Sequence, residues 1–283
     1  GGQVSDTGRL VDTDTGLVAA VAGVERLSPG APRAHQIRVT EGCLRIGSTV
    51  TAAVDERRRD AIRRNHTATH LLHAALREQL GTHVKQAGSL VGPDRLRFDF
   101  AHGSPVGQPA LDLIERSVNA AVFANGPVGT AVRSTQDAID AGAMALFGEK
   151  YGESVRVVSV PGVSMELCGG THCRATGDIG PFAITQESGV AAGVRRIEAV
   201  TGHTAVEHLQ SRRAVVHAVV GALGVPESQA VETVGRLHTD AKRLARELEQ
   251  LKLKMALGGQ TGGATDDAVE IGDAQFVARR VAG

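Results

Sequence analysis

Two short runs hold the side chains best suited to chemistry. They are His66-Thr67-Ala68-Thr69-His70 and, 98 residues after His70, Cys168-Gly169-Gly170-Thr171-His172. Two histidines four residues apart share one face of a helix, and a thiolate and an imidazole at the same spacing complete a four-donor set from a second segment. Nitrogen and sulfur donors in that combination are what zinc prefers. One histidine pair alone is more often two surface or half-buried residues, and the second pair is what turns the pattern into a metal site. A metalloprotease is excluded, because its helix needs Glu directly after the first His as general base and position 67 is Thr.

Zinc held by four protein donors is ordinarily structural, with no open position for water. A catalytic ion must expand to five ligands or hold one loosely, and Cys168 is the natural weak member. Structural sites favour closely spaced ligand pairs within a small module, whereas pairs 98 residues apart beside small hydroxyls and glycines favour a cleft. Gly169 and Gly170 either let a substrate approach the backbone or only shape a turn.

The elements that must position these residues follow from local pattern. Between Asp55 and Leu80 there is no Gly or Pro, and Leu71, Leu72, Ala75 and Leu76 recur at helical spacing until Gly81, which places His66 and His70 mid-helix. Gly88 to Asp94 reads as a turn before the alternating strand Arg95 to Phe100; a helix spans Pro109 to Phe123, and Val155 to Val160 is a further strand. The second ligand pair then falls on a strand-to-turn junction. Ahead of the helix, residues 1–53 alternate apolar and polar positions between turns, the pattern of a small antiparallel β-barrel or sheet.

After Gly202 come long helical stretches broken at Gly224-Val225-Pro226. Ala230, Val234, Leu237, Ala241, Leu244, Leu248, Leu251 and Met255 step by four and three, a heptad seam that implies a helical hairpin or coiled coil. The class is therefore α+β, with a barrel-like subdomain at 1–53, an α/β-mixed domain with a zinc cleft at 54–203 and a coiled-coil extension at 204–257. Residues 258–267 read as a flexible linker, and the last 16 as the start of another unit, so the chain reads as a piece of something longer.

Composition narrows the function classes. Of 283 residues, 31 are Lys or Arg and 31 Asp or Glu, so any polyanion must be met locally, at patches such as Arg57-Arg58-Arg59 with Arg63-Arg64, Arg195-Arg196 or Arg212-Arg213. The plain alternative for each patch is a solvated helix face. With no Trp and one Tyr, base stacking cannot carry nucleic-acid binding. Three cysteines are too few and too unevenly placed for a disulfide framework, which argues for a reducing cytoplasm, and no apolar run approaches a membrane span.

Longer motifs carry a resemblance. Arg64 to His73, His83-Val84-Lys85-Gln86-Ala87-Gly88-Ser89, Leu96 to Phe100, Met165 to His172, Gly1 to Val4 with Asp6 to Gly8, and Glu187 to Glu198 all look like the editing domain of alanyl-tRNA synthetase. That domain is shared with free-standing alanyl-tRNA editing proteins and, more distantly, with the threonyl enzyme. The resemblance covers nearly the whole chain. It implies hydrolysis of serine or glycine wrongly esterified to alanine tRNA, with zinc on His66, His70, Cys168 and His172, which are also the catalytic set.

It further implies a substrate pocket of Thr69, Gln86 and Ser89, contact with the tRNA 3′ acceptor end, no membrane, and a homodimer through the helical extension. The heptad helices favour the full synthetase over a free-standing protein or the threonyl branch. The physics agrees: an alanine pocket rejects serine or glycine by only about 1–3 kcal/mol, so a second, hydrolytic site is needed, and Thr69 and Gln86 offer a hydroxyl and an amide. Cys173 departs from the pattern; it is an extra thiol for metal or oxidation, or simply a small hydrophobe.

Overall fold

The structure is a computed structural model that describes residues 2–28, 31–144, 152–257, 268–271 and 274–277. It divides into two compact units, Gly1–Arg212 and Arg213–Gly283. The first opens with β1 (Gly8–Asp12), β2 (Leu17–Arg26), β3 (Arg33–Glu41) and β4 (Thr51–Val54), joined antiparallel in the order β3-β2-β1-β4. The expected barrel is not closed. β4 has only four residues and pairs with β1 alone, and β3 pairs with β2 alone, so four short strands leave two free edges where closure needs a continuous ring.

The long helix α1 (Glu56–Leu80) forms where expected. Asp55 caps it by accepting from the Arg58 N–H at 3.0 Å, Glu56 suits its positive end and Arg77 its negative end, and Gly81 (φ +111°) stops it in a conformation few side chains adopt. One face packs on a sheet of order β10-β11-β6-β5, made of β5 (Gln86–Val91), β6 (Leu96–Ala101), β10 (Phe182–Ala191) and β11 (Val194–Thr201). Leu71, Leu72 and Leu76 meet Leu96, Phe98 and Phe100 there, joined by Ile114 and Val118 of α2 (Gln108–Phe123). Each fully buried leucine is worth about 1.5–3 kcal/mol, so this layer anchors the helix that carries both histidines.

The turn expected at Gly88 to Asp94 shrinks to its second half. Gly88 to Val91 belong to β5, because Val91 exchanges backbone hydrogen bonds with Gly2 (2.7 Å) and Val4 (3.0 Å) on one side while β5 pairs with β6 on the other. Gly2 is required at this crossing: any Cβ there would collide with Ser89.

A third sheet, β7 (Gly129–Ser134), β8 (Ser154–Val160) and β9 (Ser164–Leu167), is antiparallel in that order and shares a small core with α3 (Thr135–Asp140). β9 ends directly before Cys168, as the strand-to-turn reading expects.

Helix α4 (Gly202–Leu223) crosses the boundary between units. In the second unit, α5 (Ala230–Leu257) follows the break at Gly224 to Pro226, and β12 (Ala268–Ile271) pairs antiparallel with β13 (Ala274–Val277). Along α5 the seam is bare: Val234, Leu237, Leu244, Leu248, Leu251 and Met255 are 49–79% exposed. The linker expected at 258–267 lies outside the described residues. Among the described residues no single helix is long and apolar enough to cross a membrane.

Candidate metal centre

The two sequence runs meet. Donor atoms of His66, His70, Cys168 and His172 all lie within 4.8 Å of one another. His66 and His70 stand one turn apart on α1, and Cys168 is tied to β8 by its N–H donating to Arg156 O at 2.9 Å. Gly170 lies against His66: a Cβ there would collide with the His66 ring and with Gln3 Oε1. Gly169, by contrast, faces open space. The glycine pair therefore divides its work, with Gly170 admitting a ligand's ring and Gly169 leaving the approach clear.

Each imidazole is fixed through its Nδ1. His66 Nδ1 is 2.7 Å from Gln3 Oε1, an oxygen that also accepts from Thr171 N (2.8 Å) and Thr171 Oγ1 (3.2 Å). His172 Nδ1 is 3.3 Å from Thr67 Oγ1. That hydroxyl donates to Arg63 O (2.9 Å) and accepts from Cys173 N (3.0 Å), so its remaining lone pair can only accept from the imidazole. His70 Nδ1 lies 3.1 Å from Glu166 Oε2, within charge attraction though off the line of a good hydrogen bond. Acceptors at all three Nδ1 atoms place the protons there and turn the Nε2 lone pairs to the shared space. Cys168 Sγ sits 3.4 Å from His66 Nε2 and 3.3 Å from His172 Nε2. Tetrahedral zinc, with bonds of about 2.3 Å to sulfur and 2.0–2.1 Å to nitrogen, separates such donors by about 3.5 Å. The donor set fits zinc in both chemistry and spacing.

Charge in the centre is coupled. Burial opposes ionisation of Cys168, but the His172 and His66 imidazoles within hydrogen-bond distance outweigh it and hold the thiol down to about 3. Burial lowers His172 to about 4, which keeps it neutral. Burial would lower His70 too, yet the Glu166 carboxylate reverses the sign and lifts it to about 10. Glu166 itself is buried, which disfavours its charge, but His70 and then His73 hold it below the usual carboxylate range. A carboxylate that favours a proton on His70 also favours a cation at His70 Nε2, since either sets positive charge against it.

Glu166 and His73 adjoin the candidate site and were passed over by sequence reasoning. Glu166 Oε1 faces His73 Nδ1 at 3.1 Å and accepts from Ser164 Oγ at 3.1 Å. The signal was present: His73 is two turns from His66 on the same helix, and Glu166 is two residues before Cys168 on a strand, hence on the same face. Gln3 was visible only within the motif Gly1 to Val4.

The centre opens on a cavity of about 800 Å³ whose wall includes His66, His70, Cys168, Thr69, Gln86 and Ser89. Thr69 donates its hydroxyl proton to Asn65 O at 2.8 Å, leaving its lone pairs free, and Gln86 Nε2 is 3.5 Å from Ser89 Oγ. All three expected pocket residues therefore share the cavity with the metal donors; His172 alone of the four is not on its wall. Cys173 is buried in the main core, outside the donor set, and burial pushes its thiol up to about 11.

The basic patches are largely spent on structure. Arg59 pairs with Asp6 at 2.5 Å, Arg58 donates to Ser5 O and Arg64 to Asp178 O. Arg195 forks onto Glu187 (2.6 and 2.7 Å) and Arg196 onto Asp99 (2.7 and 2.8 Å).

Comparison with known proteins places this architecture. Residues 155–198 match the family model described as the threonyl and alanyl tRNA synthetase second additional domain. Over all 283 residues the chain is 48% identical to the alanine–tRNA ligases of Xanthomonas campestris pv. campestris strain 8004, Xanthomonas oryzae pv. oryzae strain PXO99A and Stenotrophomonas maltophilia strain K279a. The chain spans about a third (32%) of the length of these relatives. The likeness to alanyl-tRNA synthetase expected from the motifs thus extends along the entire chain.

Proposed function

We propose that the chain is the editing part of an alanine–tRNA ligase, a zinc-dependent deacylase acting on Ser-tRNA(Ala) and Gly-tRNA(Ala) in the cytoplasm. The observation that carries this is the convergence of three Nδ1-anchored imidazoles and a thiolate beside a cavity lined by Thr69, Gln86 and Ser89. In hydrolysis, water adds to the ester carbonyl and the 3′ oxygen of the terminal ribose leaves, giving the free amino acid and tRNA. Zinc, when bound, supplies a Lewis acid that can polarise the ester or orient the amino acid.

The chain's own groups do the rest. Thr69, its proton committed to Asn65, accepts a hydrogen bond from the serine hydroxyl or the ammonium. Gln86 offers both a donor and an acceptor at the same wall. An alanyl ester has no hydroxyl to satisfy these groups and its methyl fills the space where a water could do so, which disfavours its entry, whereas a glycyl ester leaves that space open.

Hydrolysis of seryl-, glycyl- and alanyl-tRNA(Ala) by the full chain, with zinc content measured on the same sample, tests this reading. Rapid loss of the seryl ester with the alanyl ester spared is expected, as is loss of that activity in His66→Ala or Cys168→Ala. Unchanged deacylation in those variants would overturn it.

A second reading rests on the four protein donors, which fill a tetrahedron: a tRNA-binding and dimerising module with structural zinc. Chelation separates the two, since a structural ion unfolds the first unit on removal and a working one leaves it folded and inactive. Dimerisation through the bare seam of α5 belongs to either reading, and sedimentation of the chain measures it.

A further inference from the structure

The cavity has a second wall that neither the motifs nor the metal donors account for. It is the N-terminal sheet, which contributes Arg9 of β1, Arg26 of β2 and Arg33 and His35 of β3. Among the described residues none of these three arginines has an ion pair, whereas the acids on the same wall are engaged: Asp6 by Arg59 and Glu25 by Gln36 at 2.9 Å.

Arg26 and Arg33 are also directly opposed across the β2–β3 pair, and both are exposed. Like charges opposite each other destabilise a ladder, so this arrangement costs stability unless an anion lies between them. Two residues along each strand, and therefore on the same face as the arginines, the pair Val24 and His35 lines the same cavity. No Phe, Tyr or Trp lines the cavity, so a nucleic-acid strand there must be held by its phosphates and not by stacking.

We infer that Arg26 and Arg33, with Arg9 further along the same wall, clamp the phosphodiester backbone of the single-stranded 3′ end of RNA whose terminal ester reaches the metal centre. Guanidinium forks match phosphate oxygens bidentately, and two opposed forks can take one phosphate from both sides or two in succession. The inference rests on the proposed deacylase reading for its choice of polyanion. It assigns binding to residues outside the basic runs of α1 and β11, where Arg58, Arg59, Arg63, Arg64, Arg195 and Arg196 are already held by protein oxygens.

The test measures binding separately from hydrolysis. A fluorescent RNA hairpin with a single-stranded 3′ tail is titrated with the full chain over a salt series, for the wild type, Arg26→Ala/Arg33→Ala and Arg38→Ala. Arg38 is exposed on β3 but absent from the cavity wall, so it reports generic charge. The double variant is expected to bind at least ~10-fold more weakly at moderate salt and to lose about 1.4 from the slope of log K against log salt, the share of two single-strand phosphates. Arg38→Ala should keep the wild-type affinity within about twofold, and unchanged melting temperatures confirm that all three are folded. Equal affinity in wild type and double variant, an equal loss in Arg38→Ala, or no binding by the wild type each overturns the clamp. RNA binding that depends on Arg26 and Arg33 without any ester hydrolysis would sustain the clamp while sinking the deacylase.

Discussion

The metal centre and helix α5 are opposite kinds of order. In the centre, residues from 3, 66–73 and 164–173 converge, and most polar atoms have a specified partner, the buried His70 Nδ1 and His73 Nε2 excepted. Along α5 the pattern is regular and local, yet the apolar seam touches little and stays open to solvent. The contrast teaches where each depends on context. The centre is completed by the chain's own distant segments, while the seam has a geometry whose complement is not among the described residues.

Substitutions can sharpen or break that contrast. The largest effect is expected from Gly170→Ala, which drives a methyl into the His66 ring. Zinc affinity in chelator competition should fall on the order of 100-fold, equivalent to about 2.7 kcal/mol of displaced packing. Gly169→Ala, facing open space, should stay within about threefold, and a similar loss at both positions would show that the loop, not the ring contact, matters.

Next comes Glu166→Gln, which keeps the shape but removes the charge opposite His70. An affinity loss of about 10–100-fold is expected, the usual scale for a carboxylate behind a ligating histidine, and cobalt substitution should show an altered d–d spectrum. Wild-type affinity would relegate Glu166 to a core acid.

A smaller effect concerns pH. Cys168 is depressed to about 3 and His172 to about 4, so the folded chain binds fewer protons than the unfolded one through the acidic range. The Cys168 contribution is complete only above the unfolded thiol value and is lost as pH falls towards 3; that of His172 is lost between 6.5 and about 4. His70, raised to about 10, acts oppositely, but only above 6.5. Melts of the chelated protein should therefore fall steadily from pH 6.5 to 4.5, and less steeply in Cys168→Ser. Parallel melting curves for the two would refute the coupling.

The smallest change is expected at the seam. Leu244→Glu/Leu248→Glu should alter the melting temperature of the monomer little, since both residues are more than half exposed and surface changes stay within about ±0.5 kcal/mol. The same variant should sediment as a monomer where the wild type forms a dimer. A large drop in monomer stability would mean that the seam is packed after all.

What the sequence made legible follows the same division. Helix α1 was readable to its caps because Asp55, the gap free of Gly and Pro and Gly81 are all local signals. His66, His70, Cys168 and His172 were readable because donor type and spacing repeat. The open edges of the N-terminal sheet were not, since alternation fixes a strand's faces but not whether its edge finds a partner. The extent of β5 was missed for a related reason: Val91 is held by Gly2 and Val4, far away in the chain. Glu166 and Gln3 escaped because a supporting residue has no spacing rule of its own; only the assembled site shows what each holds.

Gln3 also sets a clock. Its amide oxygen is shared between His66 and the backbone of Thr171, 168 residues further on. At about 5–20 residues per second, a ribosome takes roughly 5–21 s to deliver Thr171 after His66. For most of that interval the nascent chain holds His66 and His70 without Cys168 or His172, so the four-donor set can be completed only late in the unit's synthesis. If the ion is the zinc proposed above, a cell short of it would meet the shortage there, in chains whose helix α1 is already made and whose thiolate has only just arrived.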